Sequence, residues 1–300
     1  MKIYIADNIL VKDRLCAEYD FISPYSATVV DKIINAGMRV IDNIDEADAV
    51  LTSHSALDAE SHEIAGQARN DRKVRKIYIK PTYGTVSRFG LIAGASSMEQ
   101  IGVCADKLDD AFAVLSTISG HDKNDGTSYP AEKYNYSADT INISDLKAVN
   151  EPDFKFKDVL LPVYKIISSA EISANIARFD GIKFGRRADN FKNINELIIN
   201  SRSESFNLET KLNALMGAYV LSEGQFDKYY LKAAKIRRLI KQELEKIFEQ
   251  ADLLIFPAQC GKAAALADLT GCPAVIINEK ILMAKEFDED KLYAFGRTLK

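Results

Sequence analysis

The chain has 300 residues, 47% of them apolar and 27% charged, an ordinary soluble-globular composition with length enough for a sizeable core. Its 39 basic and 43 acidic residues leave a net charge of −4, which excludes a broadly basic nucleic-acid surface. No apolar run approaches the ~20 residues that span a bilayer. The opening MKIYIADNIL lacks the cationic head, long apolar middle and cleavage site of a signal peptide, so a cytoplasmic protein is expected. Cys16, Cys104, Cys260 and Cys272 are scattered without CxxC spacing, and His54, His62 and His121 are the only histidines. That usage suggests small, partly buried thiols, with no disulfide framework, metal site or cofactor.

In chain order, Lys2–Ile5 reads as a strand. Ser26 then caps a helix through Thr28, Val29, Val30, Ile33 and Ile34, closed by Gly37. The apolar run Ala49-Val50-Leu51 fits either a strand or a helix end. Residues 56–76 are polar and charged, as in a solvated helix or loop. Ile77–Ile79 reads as a strand, and Asp106–Ile118 as a helix with Leu108, Phe112, Leu115 and Ile118 on one side. Residues 120–136 form the best loop or linker candidate. Val159–Ile167 is a strand-like apolar run interrupted by Pro162, and helix dominates from about 171. The long amphipathic stretch Phe226–Phe248 carries Lys232, Lys235, Arg237, Arg238, Lys241, Glu245 and Lys246 on what reads as a solvated face. Leu253–Phe256 and Ala274–Ile277 are apolar throughout, as strands covered on both faces are. The pattern predicts an α/β fold, a mixed or parallel sheet with helices on both sides, in a single domain over residues 1–300.

Several segments resemble the amidase signature family, above all its glutamyl-tRNA(Gln) amidotransferase A-subunit branch. They are KPTYGTVSRFGLIAGASSMEQIG (80–102), LPVYKIISSAEISANIARFDGIKFGRR (161–187), SRSESFNLE, the long helix after GAYVLSEGQ, and ADLTGCPAVII, all in family order. The opening IADNI, with SPYSATVVDKIINAG, is similar to the family's start. The resemblance implies the family's mixed sheet and an amide hydrolysis by a serine nucleophile, a relay serine and a buried lysine base. In the tRNA-dependent enzyme it also implies ammonia passed to a partner protein.

The chemistry-bearing positions depart from that pattern. Ala6 stands where the family's Lys-Asp-Asn segment has its lysine, in Ala6-Asp7-Asn8; a methyl group accepts no proton. The Gly/Ser-rich stretch that carries both serines and the oxyanion amides has no counterpart before Lys80. Lys211-Leu212-Asn213 replaces a Lys-Arg-Arg run whose arginine would hold a substrate carboxylate, and Gly261 falls where an aspartate is expected. Tyr164, Ser97 and Gln100 remain as residual pocket candidates. The reading that follows is a catalytically inactive amidase-fold protein acting as a binding or regulatory partner. Its expected partner is an amidotransferase B-subunit-like protein or another amidase-fold chain, including a second copy of itself; direct tRNA binding and membrane association are not expected. The competing reading is an active amidase with replacement residues, for which Ser53-His54-Ser55 and Ser96-Ser97 are the candidates. The shortened core leaves apolar surface to cover. Segment 56–76, with Ile64, Val74 and Ile77 as its few apolar anchors, is therefore expected to be either the least ordered part or an interface.

Overall fold

A nine-stranded sheet organises the chain. The computed structural model describes residues 1–16, 21–54, 75–130, 136 and 138–299. The strands are β1 (Lys2–Ile5), β4 (Arg39–Ile41), β5 (Ala49–His54), β6 (Ile77–Lys80), β7 (Gln100–Ala105), β8 (Ala148–Asn150), β9 (Leu253–Pro257), β10 (Ala274–Ile277) and β11 (Lys280–Ala284), while β2 (Leu15–Cys16) and β3 (Phe21–Ile22) form a separate small hairpin. The sheet order is β4-β1-β5-β7-β6-β10-β11-β9-β8. Pairs are parallel at the two margins and antiparallel from β5 to β9.

Side chains on a strand alternate between faces, and here both faces are apolar. Val275, Ile277, Leu282 and Ala284 enter one core with α1 (Thr28–Asn35), α2 (Leu108–Ile118) and α8 (Glu289–Gly296). Ala274, Ile276, Ile281 and Met283 enter a second with α3 (Leu160–Ile176), α6 (Lys232–Phe248) and α7 (Gly261–Thr270). The expected mixed sheet, covered on both sides, is what the chain forms. Two further helices are α4 (Ile194–Ser205) and α5 (Leu208–Leu221). Arg202 of α4 donates to the Ile176 carbonyl at the end of α3 (2.8 Å), and α5 packs along α3. The α3–α5 approach is so close that a Cβ on Gly217 would collide with the Ser169 carbonyl and Ser173 Cβ.

Several local expectations change. Ala27, not Ser26, is the N-cap of α1; the Ser26 hydroxyl accepts instead from Lys12 N at 3.0 Å. Val159–Ile167 is no strand but the start of the 17-residue α3. Pro162 sits in its first turn, where no backbone N–H is required, and Leu160, Val163, Tyr164 and Ile167 recur at helical spacing to fill the core. Loop 120–136 is strapped down as far as it is described. Asp122 accepts from Thr28 Oγ1 (2.6 Å) and Ser87 Oγ (2.5 Å), and Asp125 accepts from Arg88 N (2.7 Å). On α6, Arg237 and Lys241 leave the solvated face, Arg237 bonding Leu269 O and Ser97 and Lys241 pairing with Glu286 at 2.8 Å. Ser55, Ile64 and Val74 lie outside the described residues, whereas Arg75 anchors the entry to β6 by pairing with Asp106 at 3.0 Å. Among the described residues no helix is long and apolar enough to cross a membrane.

Candidate functional site

The Ala6-Asp7-Asn8 turn follows directly from β1. Ala6 N donates to Leu51 O (3.0 Å), and Ile92 N donates to Asn8 O (2.8 Å), which binds the loop before β7 to this turn. Asn8, Ile92, Gly94 and Glu99 thus form one wall of a cleft of about 280 Å³. The opposite wall comes from the end of α3, loop 179–186, α4 and the start of α5, contributing Phe179, Phe184, Ser201, Arg202, Glu209 and Asn213 among others. Asn213, at the end of the run aligned with Lys-Arg-Arg, has its Oδ1 occupied by the Ser169 hydroxyl at 3.0 Å.

Glu99 dominates the electrostatics. Only 6% of it is exposed, and its Oε2 accepts from Gly94 N at 2.8 Å. Burial pushes its carboxyl up to about 7, with the Gly94 bond and the fields of Arg88 and Arg178 opposing and Glu171 adding to the rise. No lysine or histidine is among the cleft's described lining residues. Its two serines are spent on backbone: Ser201 Oγ accepts from Ala188 N (3.0 Å) and Ser205 Oγ donates to Ser201 O (2.6 Å). A nucleophile needs a base within hydrogen-bond reach, and these serines have none.

The sequence-derived candidates sit elsewhere, in the shell behind this wall. Tyr164 is buried in the second core. Ser97 N donates to Glu171 Oε2 at 2.8 Å, and its hydroxyl and carbonyl accept from Arg237 at 2.6 and 2.9 Å. The Ser96 hydroxyl accepts from Asn175 Nδ2 at 3.0 Å. Gln100, with its amide oriented to suit its neighbours, accepts from Lys80 Nζ at 2.9 Å and donates to Pro81 O. None of these side chains is brought to the cleft with another, except that Ser97 and Gln100 flank Met98 and Glu99 in the chain. Ser53 is buried opposite Ile101, its hydroxyl without a hydrogen-bond partner among the described residues, and it does not line the cleft.

A buried lysine does exist, but not at the family position. Lys80 is 1% exposed and donates to Cys272 O at 2.7 Å. Burial pushes its pKa down against the field of Asp268 and other acids, yet it is enclosed beside the Cys272 carbonyl and the Gln100 amide and does not line the cleft. Burial also pushes the Cys104 thiol up to about 12 and that of Cys272 to about 11, so both are inert. No metal-ligand cluster occurs among the described residues. Sequence reading missed Glu99; its only signal was an acid wedged between Met98 and an apolar strand.

The amidase family model matches residues 78–150 and 138–285, beginning just after the divergent segment. The glutamyl-tRNA(Gln) amidotransferase A chain of Lachnoclostridium phytofermentans is 33% identical over 88% of this chain and 68% of its own length. Its counterpart from Caldanaerobacter subterraneus subsp. tengcongensis is 30% identical over 88% of this chain and 70% of its own. That second alignment runs to 343 positions on a 300-residue chain, so the relative carries segments this chain lacks. The crystal structure of the corresponding Thermotoga maritima protein superposes with a TM-score of 0.72 at 21% identity, covering 100% of this chain and 82% of that one.

Proposed function

The chain belongs to the amidase family, and from that premise we propose that its cleft binds a ligand without cleaving it, making the protein a non-catalytic binding or regulatory member of the family in the cytoplasm. One observation carries the reading. At the end of β1, where a base would stand, there is the methyl group of Ala6, and the described cleft wall holds no serine paired with a lysine or histidine. Losing one member of a catalytic triad costs orders of magnitude in rate. Treatment with a serine-reactive fluorophosphonate, followed by peptide mapping, is expected to leave the chain unlabelled; stoichiometric labelling of one serine would overturn the reading.

The active-amidase reading has one feature in its favour, the near-neutral carboxyl of Glu99 in the cleft, a property suited to a general base. Turnover of any amide that disappears in Glu99→Gln would establish it.

The partner half rests on α5. Leu208, Leu212, Leu215 and Tyr219 are spaced by four, three and four, and all are more than half exposed, which is the seam of a helix pair. Met216, also exposed, and Tyr229, whose ring lies 5.7 Å from that of Tyr219, extend this apolar stripe. The occupant we assign is a second copy of the chain. A two-fold axis through the middle of α5 sets Leu212 against Leu215 and Leu208 against Tyr219, while Asn213 and Ala214 turn away from the seam toward Ser169 and Ser173 of α3.

A further inference from the structure

The cleft contains a carboxylate that feels the fields of Arg88 and Arg178 but to which no cationic side chain among the described residues hydrogen-bonds. Glu99 Oε2 is satisfied by Gly94 N, while Oε1 receives no hydrogen bond from the described residues and belongs to a side chain lining the void. No nearby guanidinium hydrogen-bonds Glu99, although the Arg88 Nε is buried without a hydrogen-bond partner among the described residues. Arg88 bonds Thr127 Oγ1 and the Ser96 carbonyl and lies over the Tyr83 ring. Arg178 bonds Asn175 and Ala93 O over the Phe179 ring. Arg202 donates to Ile176 O and Phe179 O at 2.8 and 3.0 Å. Arg186 pairs with Glu204, and no ion pair among the described residues reaches Glu99. Glu171, which also faces Glu99 electrostatically, is held by Ser97 N. A buried carboxylate without a partner is unfavourable, and a ligand cation removes that penalty.

From this geometry we propose that the cleft is a site for a small primary amine, its ammonium group donating to Glu99 Oε1 and its apolar stem lying on Ile92, Ile172 and Ile176. Glu209 adds a second carboxyl group to the lining, which also carries the committed guanidinium groups of Arg186 and Arg202. The cavity's volume, about 280 Å³, limits the occupant to a short alkyl or aralkyl chain. The inference rests on the binding reading of the same cleft, and it names the ligand chemistry.

The test is calorimetric titration with n-pentylammonium, using n-pentanol and pentanamide as uncharged controls of similar size. Glu99 titrates near 7, while an alkylamine stays protonated to about pH 10. Affinity for the amine therefore rises about tenfold from pH 6 to pH 8, following the ionised fraction of Glu99. In Glu99→Gln that rise disappears and amine affinity drops at least tenfold at pH 8, while circular dichroism checks that the variant is folded. The wild-type pH profile tests the idea even if the variant does not fold. Binding of pentanamide in preference to the amine, a flat pH profile, or no amine binding at millimolar concentration each overturns the proposal. The same samples are assayed for ammonia release from pentanamide and glutamine. Amine binding together with hydrolysis sinks only the non-catalytic reading, whereas neither binding nor hydrolysis sinks only the amine site.

Discussion

Replacing Glu99 with glutamine tests the electrostatics of the cleft without any ligand. In the unfolded chain this carboxyl titrates at its usual 4.5, and in the folded chain at about 7. The folded state therefore holds the proton more tightly, and the neutral acid's contribution is fully present below pH 4.5 and is lost as pH rises through about 7. The gap corresponds to about 3 kcal/mol, imposed by burial at 6% exposure. Glutamine keeps the shape and the acceptor for Gly94 N but carries no charge, so its stability lacks this pH-dependent loss. Wild type and Glu99→Gln are expected to differ little at pH 4.5, with the variant about 3 kcal/mol more stable at pH 8.5. At about 2 °C per kcal/mol for a chain of this size, that is ~6 °C in Tm. Urea and thermal melts of both proteins from pH 4.5 to 8.5 measure it, and subtracting the two curves cancels every other titrating group. A pH-independent difference, or a variant that loses stability as pH rises, would refute the placement of Glu99 as a buried, uncompensated carboxyl.

Arg237→Ala removes three hydrogen bonds that join α6 to Ser97 and Leu269 and is expected to cost about 3 kcal/mol in urea melts; Arg237→Lys should recover less than half, since an ammonium does not reproduce the guanidinium fork. Lys80→Met leaves Asp268 buried beside a lost cation and should cost about 4 kcal/mol, part of it regained in the double variant with Asp268→Asn. Sedimentation velocity from 1 to 100 µM (roughly the range over which weak dimers form) is expected to show a monomer–dimer equilibrium that Leu212→Glu or Leu215→Glu abolishes without loss of stability. A concentration-independent monomer would remove the second copy as the partner of α5.

The sheet was legible where burial on both faces writes itself as unbroken apolar runs, as in Ala274–Ile277 and Leu253–Phe256. Helix α2 was legible from its one-sided spacing. Helix α3 was not, because Pro162 reads as an interruption until it is placed in a first turn, where a missing N–H costs nothing. The cap of α1 failed for a related reason: the Ser26 hydroxyl has a better partner in Lys12 N, a loop contact invisible to local pattern. The cleft was the least legible part. Asn8, Glu99 and Asn213 lie far apart in the chain and meet only because the 92–94 loop hydrogen-bonds to the turn after β1. Gln100, expected in the pocket, is instead buried against Lys80, and its neighbour Glu99, which carried no motif of its own, is the one that lines the cleft. Arg237, placed by periodicity on a solvated face, turns inward because the carbonyls of Ser97 and Leu269 offer it a fixed fork of acceptors.

The measurement that bears most directly on a binding cleft without chemistry is continuous ammonia detection with purified chain, millimolar glutamine and asparagine, and a panel of simple carboxamides. The expected release is indistinguishable from the protein-free blank over hours, at pH 6 and pH 8 alike. Sustained release beyond one equivalent per chain, abolished by Glu99→Gln or Ser53→Ala, would contradict it.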